Sequence, residues 1–207
     1  MIKVGITGGI GSGKSTLCRH FRDSGVAHYD SDRRARELMN SDAELRKKIT
    51  ELLGAEAYND YAELNRGFVA SQIFSDESKR SALNSIVHPA VMRDFAAWVD
   101  NQSIESAPYI VMESAILFDA GLESHVDFTV AVLAPEEMRL TRVVNRDSCT
   151  LDQAKARMEA QMSDDELHKR ANYSVVNIFE EDLEGAAQRL DQIFKGEAFK
   201  LAQRADA

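Results

Sequence analysis

Eight residues near the start of the chain, Gly8-Gly9-Ile10-Gly11-Ser12-Gly13-Lys14-Ser15, carry the spacing GxxxxGK[ST]. Glycines let the backbone turn tightly enough for successive N–H groups to converge on phosphate oxygens, and the helix that follows adds its own N–H groups and dipole. The lysine reaches the outer phosphates, and the hydroxyl after it can ligate Mg²⁺. Gly8, Gly11, Ser12, Gly13, Lys14, Ser15 and Thr16 are therefore the expected cradle of a nucleoside triphosphate, with Lys14 as catalytic cation and Ser15 as metal ligand. A glycine-rich turn that only caps a helix would use the same residues. Context argues against it, because the loop lies between the apolar run Ile2 to Ile6 and a helical pattern starting near Lys14. Cys18, one turn into that helix, reads as packing.

The next carboxylates come at Asp30-Ser31-Asp32, directly after a short strand-like run from Val26 to Tyr29. Carboxyl ends of strands are where doubly wound α/β sheets bind ligands. Phosphoryl transfer to a hydroxyl uses a carboxylate that accepts or orients the proton, and Asp32 is placed for that role. An N-cap for the following helix explains Asp32 equally well, with Asp30 as cap or supporting partner. Glu113 ends another strand-like run, where a Walker B acid can sit, but the sequence assigns it no role. Basic residues gather as Arg33, Arg34 and Arg36, as Arg66, and as Arg139, Arg142 and Arg146. The last three are spaced three and four apart, so they share one helix face and can close over phosphates. A plainly solvated helix presents the same face, and Glu136 and Glu137 can pair with these arginines.

A parallel α/β sheet must hold these residues. Strands are expected at 2–6, 26–29, 109–112, 128–133 and 173–176, and short strands alternating with helices imply parallel pairing. Between 32 and 102 the pattern stays helical, and the apolar spacing from Ala82 to Val99 puts Trp98 on an inward, core-packing face. A charged helical stretch covers 135–170, and a final helix follows the last strand. No repeat, low-complexity run or Gly/Ser/Pro linker divides the chain. With 207 residues, 44% hydrophobic and 29% charged, the chain has the composition of an ordinary globular protein with one substantial core. A formal net charge of −9 opposes a long polyanionic partner, so no nucleic acid is expected. No segment suggests a membrane span. Met1 leads at once into Ile2-Lys3-Val4-Gly5-Ile6, which leaves no room for a signal peptide, and a cytoplasmic location is expected. Cys18 and Cys149 are too few for a disulfide framework, and neither has a sequence spacing typical of metal sites.

Taken together, these pieces resemble the dephospho-CoA kinase family. The resemblance is carried by Gly5 through Thr16, by Asp30-Ser31-Asp32 with Ala35-Arg36, and by Leu83-Asn84 ahead of His88-Pro89. It continues through Ile116-Leu117-Phe118-Asp119, Arg142 with Arg146-Asp147, and Gln161 before Tyr173 to Asn177, spanning residues 2 to about 190. It implies a three-layer α/β/α P-loop core with a parallel sheet (1–32, 102–135 and 171–207), a helical substrate-binding region for the CoA moiety (33–101) and a helical lid (136–170). The activity implied is Mg²⁺-dependent transfer of the ATP γ-phosphoryl group to the ribose 3′-hydroxyl of dephospho-CoA, giving ADP and coenzyme A, the last step of coenzyme A synthesis. Asp32 matches the family's proposed base. Asp32, Arg36, Arg66 and His88 fall where the family binds its acceptor, and Arg142 and Arg146 match its ATP-binding lid positions. Arg139, Arg157 and Gln161 are secondary candidates. For His88-Pro89 the plain alternative is helix initiation, since proline suits a first helical position. No oligomeric state follows.

The chain departs from the family pattern in places. Where the family often reads Pro-Leu-Leu-Phe-Glu, this chain has Ala115-Ile116-Leu117-Phe118-Asp119, and its late Ala-Asp-Tyr is Ala171-Asn172-Tyr173 here, one carboxylate fewer. Two rival readings share the phosphate loop: a kinase of the same build for another small acceptor, and a nucleotide-driven switch. Against the switch, the guanine-reading NKxD motif is missing, and Asp182-Leu183-Glu184-Gly185 matches DxxG only within the C-terminal helical region.

Overall fold

The computed structural model describes residues 1–74, 76–102 and 107–205. The expected core segments 102–135 and 171–207 include 103–106 and 206–207, which lie outside the described residues. Two compact units emerge, residues 1–30 with 102–207, and residues 31–101.

In the first unit five parallel strands, β1 (Ile2–Thr7), β2 (Ala27–Asp30), β3 (Tyr109–Glu113), β4 (Phe128–Leu133) and β5 (Tyr173–Val176), form one sheet in the order β2-β3-β1-β4-β5. A parallel sheet is covered on both faces, so its central strands read as near-continuous apolar runs, and every residue of β3 is buried. On one face Ile2, Val4 and Ile6 pack with Leu17 and Phe21 of α1 (Lys14–Asp23) and with Leu183, Leu190 and Phe194 of α9 (Glu180–Ala205). On the other, Leu167 of α8 (Asp164–Arg170) joins Phe118 and Ala131. Helices α6 (Glu136–Asp147) and α7 (Leu151–Glu159) share an apolar contact of Leu140, Val143 and Ala154. The expected α/β class is what forms. The second strand starts and ends one residue later than its apolar run, because Asp30 still pairs with Glu113 across β2 and β3.

The second unit is helical: α2 (Ser31–Ser41), α3 (Ala43–Leu53), α4 (Arg66–Phe74) and α5 (Glu77–Asp100). Asp42 caps α3 by accepting from the Leu45 N–H at 2.9 Å, and Asp76 caps α5 by accepting from the Lys79 N–H at 3.0 Å. Arg34 forks onto both oxygens of Asp94, with Nε to Oδ2 at 2.9 Å, and so ties α2 to α5. One local expectation fails and another is met in part. Pro89 lies inside α5 and does not begin a helix, because the pattern of Leu83, Val87, Ala90, Val91 and Phe95 buries one face straight through it. Trp98 is half-buried, its ring stacked on Phe95 at 6.1 Å and 20°, because it lies in the last turn of α5.

Phe194 holds the face of the sheet beneath α9, with ring centroids 5.4 Å from Tyr109, 5.8 Å from Phe128 and 5.8 Å from Tyr173. Its side chain is fully buried. Phe194→Ala is expected to cost about 3–5 kcal/mol in urea unfolding through lost contacts and the cavity left behind. An unchanged unfolding midpoint would contradict this packing.

Candidate active site

The phosphate loop runs from the end of β1 to α1, and its glycines answer to contacts as well as to turns. Gly11 has φ 78°, and a Cβ there would stand 2.6 Å from the Arg139 carbonyl oxygen. At Gly9 a Cβ would stand 2.0 Å from the Arg139 guanidinium. Three consecutive loop carbonyls accept hydrogen bonds from side chains: Ile10 from Arg139 Nε at 3.0 Å, Gly11 from Arg142 at 3.3 Å, and Ser12 from Asn177 Nδ2 at 2.7 Å. Gln161 completes the set by accepting from the Ile10 N–H at 2.7 Å. Carbonyl oxygens would repel a phosphate, so engaging them with cationic and amide donors favours an anion in the loop. Helix α1 contributes too, since Gly13 supplies no side-chain cap and the first turn carries no acidic residue to neutralise the dipole.

Beneath the loop lies Glu113, the last residue of β3, opposite Ile6 of β1 and Asp30 of β2. Its side chain is only 6% exposed. One oxygen accepts from the Ser15 hydroxyl at 2.6 Å and faces the Lys14 ammonium at 3.5 Å, while the other lies 3.1 Å from His28 Nε2. Burial works against its charge, but the His28 and Ser15 hydrogen bonds and then Lys14 outweigh it and hold the carboxyl at about 2. Glu113 is therefore a fixed anion at neutral pH. Because the Ser15 hydroxyl donates to it, the Ser15 oxygen keeps its lone pairs for a cation. Ser15 and Glu113 together offer the hard oxygen donors that Mg²⁺ prefers, so the residues fit that ion. Burial and then the Glu113 charge push the neighbouring Cys18 thiol well above its usual range, so without a cation beside it the thiol stays protonated.

The three arginines of α6 have distinct surroundings. Arg139 is buried and pairs with Asp164 at 2.6 Å, which makes it a brace between α6, α8 and the loop. Arg142 is half-buried against Gly11. Arg146 is exposed and forks onto Asp147 at 2.7 and 3.1 Å, and Arg157 reaches the same carboxylate at 2.6 Å. Arg146 and then Arg157 hold the Asp147 carboxyl far below the usual range. Asn172, in place of the expected aspartate, has a structural task. Its Oδ1 accepts from the Thr129 N–H at 2.8 Å and the Thr129 hydroxyl at 3.0 Å, locking β4 to the start of β5. Asp119 is exposed.

The remaining candidates belong to the second unit. Asp32 is the second residue of α2, inside the first turn and not at the N-cap position before it, where its charge still complements the helix dipole. Arg36 and Arg66 are exposed, on α2 and at the start of α4. His88 is half-buried in α5, and burial lowers its pKa. The sequence reading missed His28 entirely and left Glu113 without a task. An acid closing an otherwise apolar strand was the available signal for Glu113. For His28 there was none, because its meaning comes from the neighbouring strand.

A family model described as dephospho-CoA kinase matches residues 2–181. A dephospho-CoA kinase of Salinibacter ruber is 41% identical over 177 residues, covering 86% of this chain and 89% of the relative. A crystal structure of a Thermus thermophilus protein superposes with a TM-score of 0.79 at 34% identity, covering 91% of this chain and 95% of that one. A dephospho-CoA kinase from Campylobacter jejuni, at 20% identity and a TM-score of 0.69 over 94% of this chain and 98% of that one, shares the fold. With a braced phosphate loop at the end of its central strand and a family match over most of its length, the chain belongs to the dephospho-CoA kinase family.

Proposed function

We infer that the protein transfers the γ-phosphoryl group of ATP to the ribose 3′-hydroxyl of dephospho-CoA, giving ADP and coenzyme A. The observation that carries this reading is the cradle itself: Lys14 and Ser15, both anchored on the buried Glu113, at the mouth of a loop whose carbonyls are held by Arg139, Arg142 and Asn177. In the reaction a bond forms from the acceptor oxygen to the γ-phosphorus, the bond from that phosphorus to the β–γ bridging oxygen breaks, and ADP leaves. Loop N–H groups and the α1 N-terminus bind the triphosphate. The Lys14 ammonium neutralises charge on the outer phosphates. Arg142 and Arg146, on the segment we read as a lid (136–170), add positive charge from α6. Asp32 takes up or orients the proton of the acceptor hydroxyl, and Arg36, Arg66 and His88 bind the acceptor. Mg²⁺, held by Ser15 with Glu113 behind it, supplies further charge neutralisation on the phosphates when bound. Among the described residues no helix is long and apolar enough to cross a membrane, and a cytoplasmic enzyme is part of the same reading.

The acceptor is tested by offering the purified protein Mg²⁺-ATP with dephospho-CoA, AMP, CMP or shikimate and measuring ADP release. Turnover is expected with dephospho-CoA alone. Comparable turnover with another acceptor would replace the substrate assignment and leave the kinase assignment in place.

Asp32→Asn separates the base from a helix-stabilising role, because asparagine keeps the shape. The base reading expects kcat to fall roughly 10²- to 10⁴-fold with little change in Tm. Recovery of rate at high Mg²⁺ would transfer the role of Asp32 to metal binding, and near-normal kcat at every Mg²⁺ level would remove Asp32 from the mechanism.

A further inference from the structure

Cys18, His28 and Glu113 belong to three different elements, α1, β2 and β3, and no sequence spacing links them. Folding brings the Cys18 sulfur, a ring nitrogen of His28 and a carboxylate oxygen of Glu113 within 4.8 Å of one another. Cys18 is fully buried, and the side chains of His28 and Glu113 are 13% and 6% exposed. Sulfur, imidazole nitrogen and one carboxylate make the donor set of a zinc-class dication, whereas Mg²⁺ takes oxygen alone. The 3.1 Å between His28 Nε2 and Glu113 Oε2 is close to the ~3.4 Å edge of a tetrahedron with ~2.1 Å metal–ligand bonds. The tetrahedral edge to a sulfur at ~2.3 Å is about 3.6 Å, so bringing in the sulfur from the 4.8 Å limit needs a shift of at most about 1.2 Å. The fourth corner falls to water, as in zinc sites with three protein ligands. On the loop side of the cluster, exposed Ser15 is hydrogen-bonded to Glu113 at 2.6 Å.

We propose that Cys18, His28 and Glu113 form a binding site for a zinc-class dication, and that occupying it inhibits phosphoryl transfer. Binding replaces the S–H bond of Cys18 with a metal–sulfur bond, and the released proton goes to the buffer. Bonded through Oε2, the oxygen that faces His28, the carboxylate gives up negative charge to the ion while its Oε1 still faces Ser15 and Lys14, and the dication stands close to the Lys14 ammonium, which lies 3.5 Å from Oε1. The cradle thereby loses the net negative charge that holds Lys14 in place, and Lys14 is pushed away from its position at the loop. Metal binding does not depend on which acceptor the enzyme uses.

Co²⁺ added to the nucleotide-free protein in a buffer without thiols reports on the site directly. A thiolate-to-cobalt charge-transfer absorption is expected in the wild type and in Cys149→Ala, and is expected to vanish in Cys18→Ala. Its absence from the wild type, or its survival in Cys18→Ala, would overturn the site. For inhibition, Zn²⁺ is titrated into turnover at fixed Mg²⁺-ATP. Cys18→Ala should keep the zinc-free rate and need at least about 10-fold more Zn²⁺ for half-inhibition. Equal sensitivity of wild type and variant would overturn the inhibitory role. If Cys18→Ala folds poorly, Cys18→Ser, which keeps the size of the side chain and lacks the thiolate, is read in the same way.

Discussion

A single buried negative charge organises the catalytic end of the sheet. Glu113 closes β3 beside the central strand, where a lone carboxylate would be costly to ionise, and Ser15, His28 and Lys14 together make the ionised form the stable one. Each partner is thereby fixed as well. Ser15 must point its hydrogen at the carboxylate and its lone pairs away, Lys14 is kept near the mouth of the loop, and His28 ties β2 to β3 by side chains as well as by backbone. Removing the charge would weaken its hold on these partners, most of all on the Lys14 ammonium.

The loop above is a backbone structure, so side chains from distant segments determine its electrostatics. Arg139, Arg142 and Asn177 engage its carbonyls, Gln161 takes one of its N–H groups, and Asp164 holds Arg139 in place. All of these residues except Asn177 lie between 136 and 170, so the stretch that carries the exposed Arg146 also stiffens the loop it faces. Buried Arg139 and exposed Arg146 differ in physical consequence for this reason. The first is locked by two hydrogen bonds across the fold, while the second is paired with its own neighbour Asp147, a carboxylate that Arg157 also engages.

Much of this was legible in the sequence where local rules suffice. The GxxxxGK[ST] spacing depends on adjacent residues, and the strands at 128–133 and 173–176 form as their apolar runs indicate. Signals failed where meaning comes from partners across the fold. His28 looks like one more residue in a short strand until β3 is laid beside it. Arg139 shares a helical face with Arg142 and Arg146, and only its partners across the fold, Asp164 and the Ile10 carbonyl, separate it from them. Pro89 suggested a helix start, yet α5 continues through it because the apolar contacts on either side outweigh one missing hydrogen bond. Asn172, which looked like a lost carboxylate, proves to be a clamp on Thr129.

The dependence of the cradle on Glu113 is best tested by steady-state kinetics of Glu113→Gln with ATP and dephospho-CoA, alongside thermal melting. Glutamine keeps the shape and can still accept from Ser15, but it cannot pair with the Lys14 charge. A fall in kcat of about 10²-fold with a Tm close to wild type is predicted, the size expected when a fixed charge that orients transition-state donors is removed. A kcat within about twofold of wild type in a folded variant would contradict the account, because Lys14 and Ser15 would then be placed without the carboxylate.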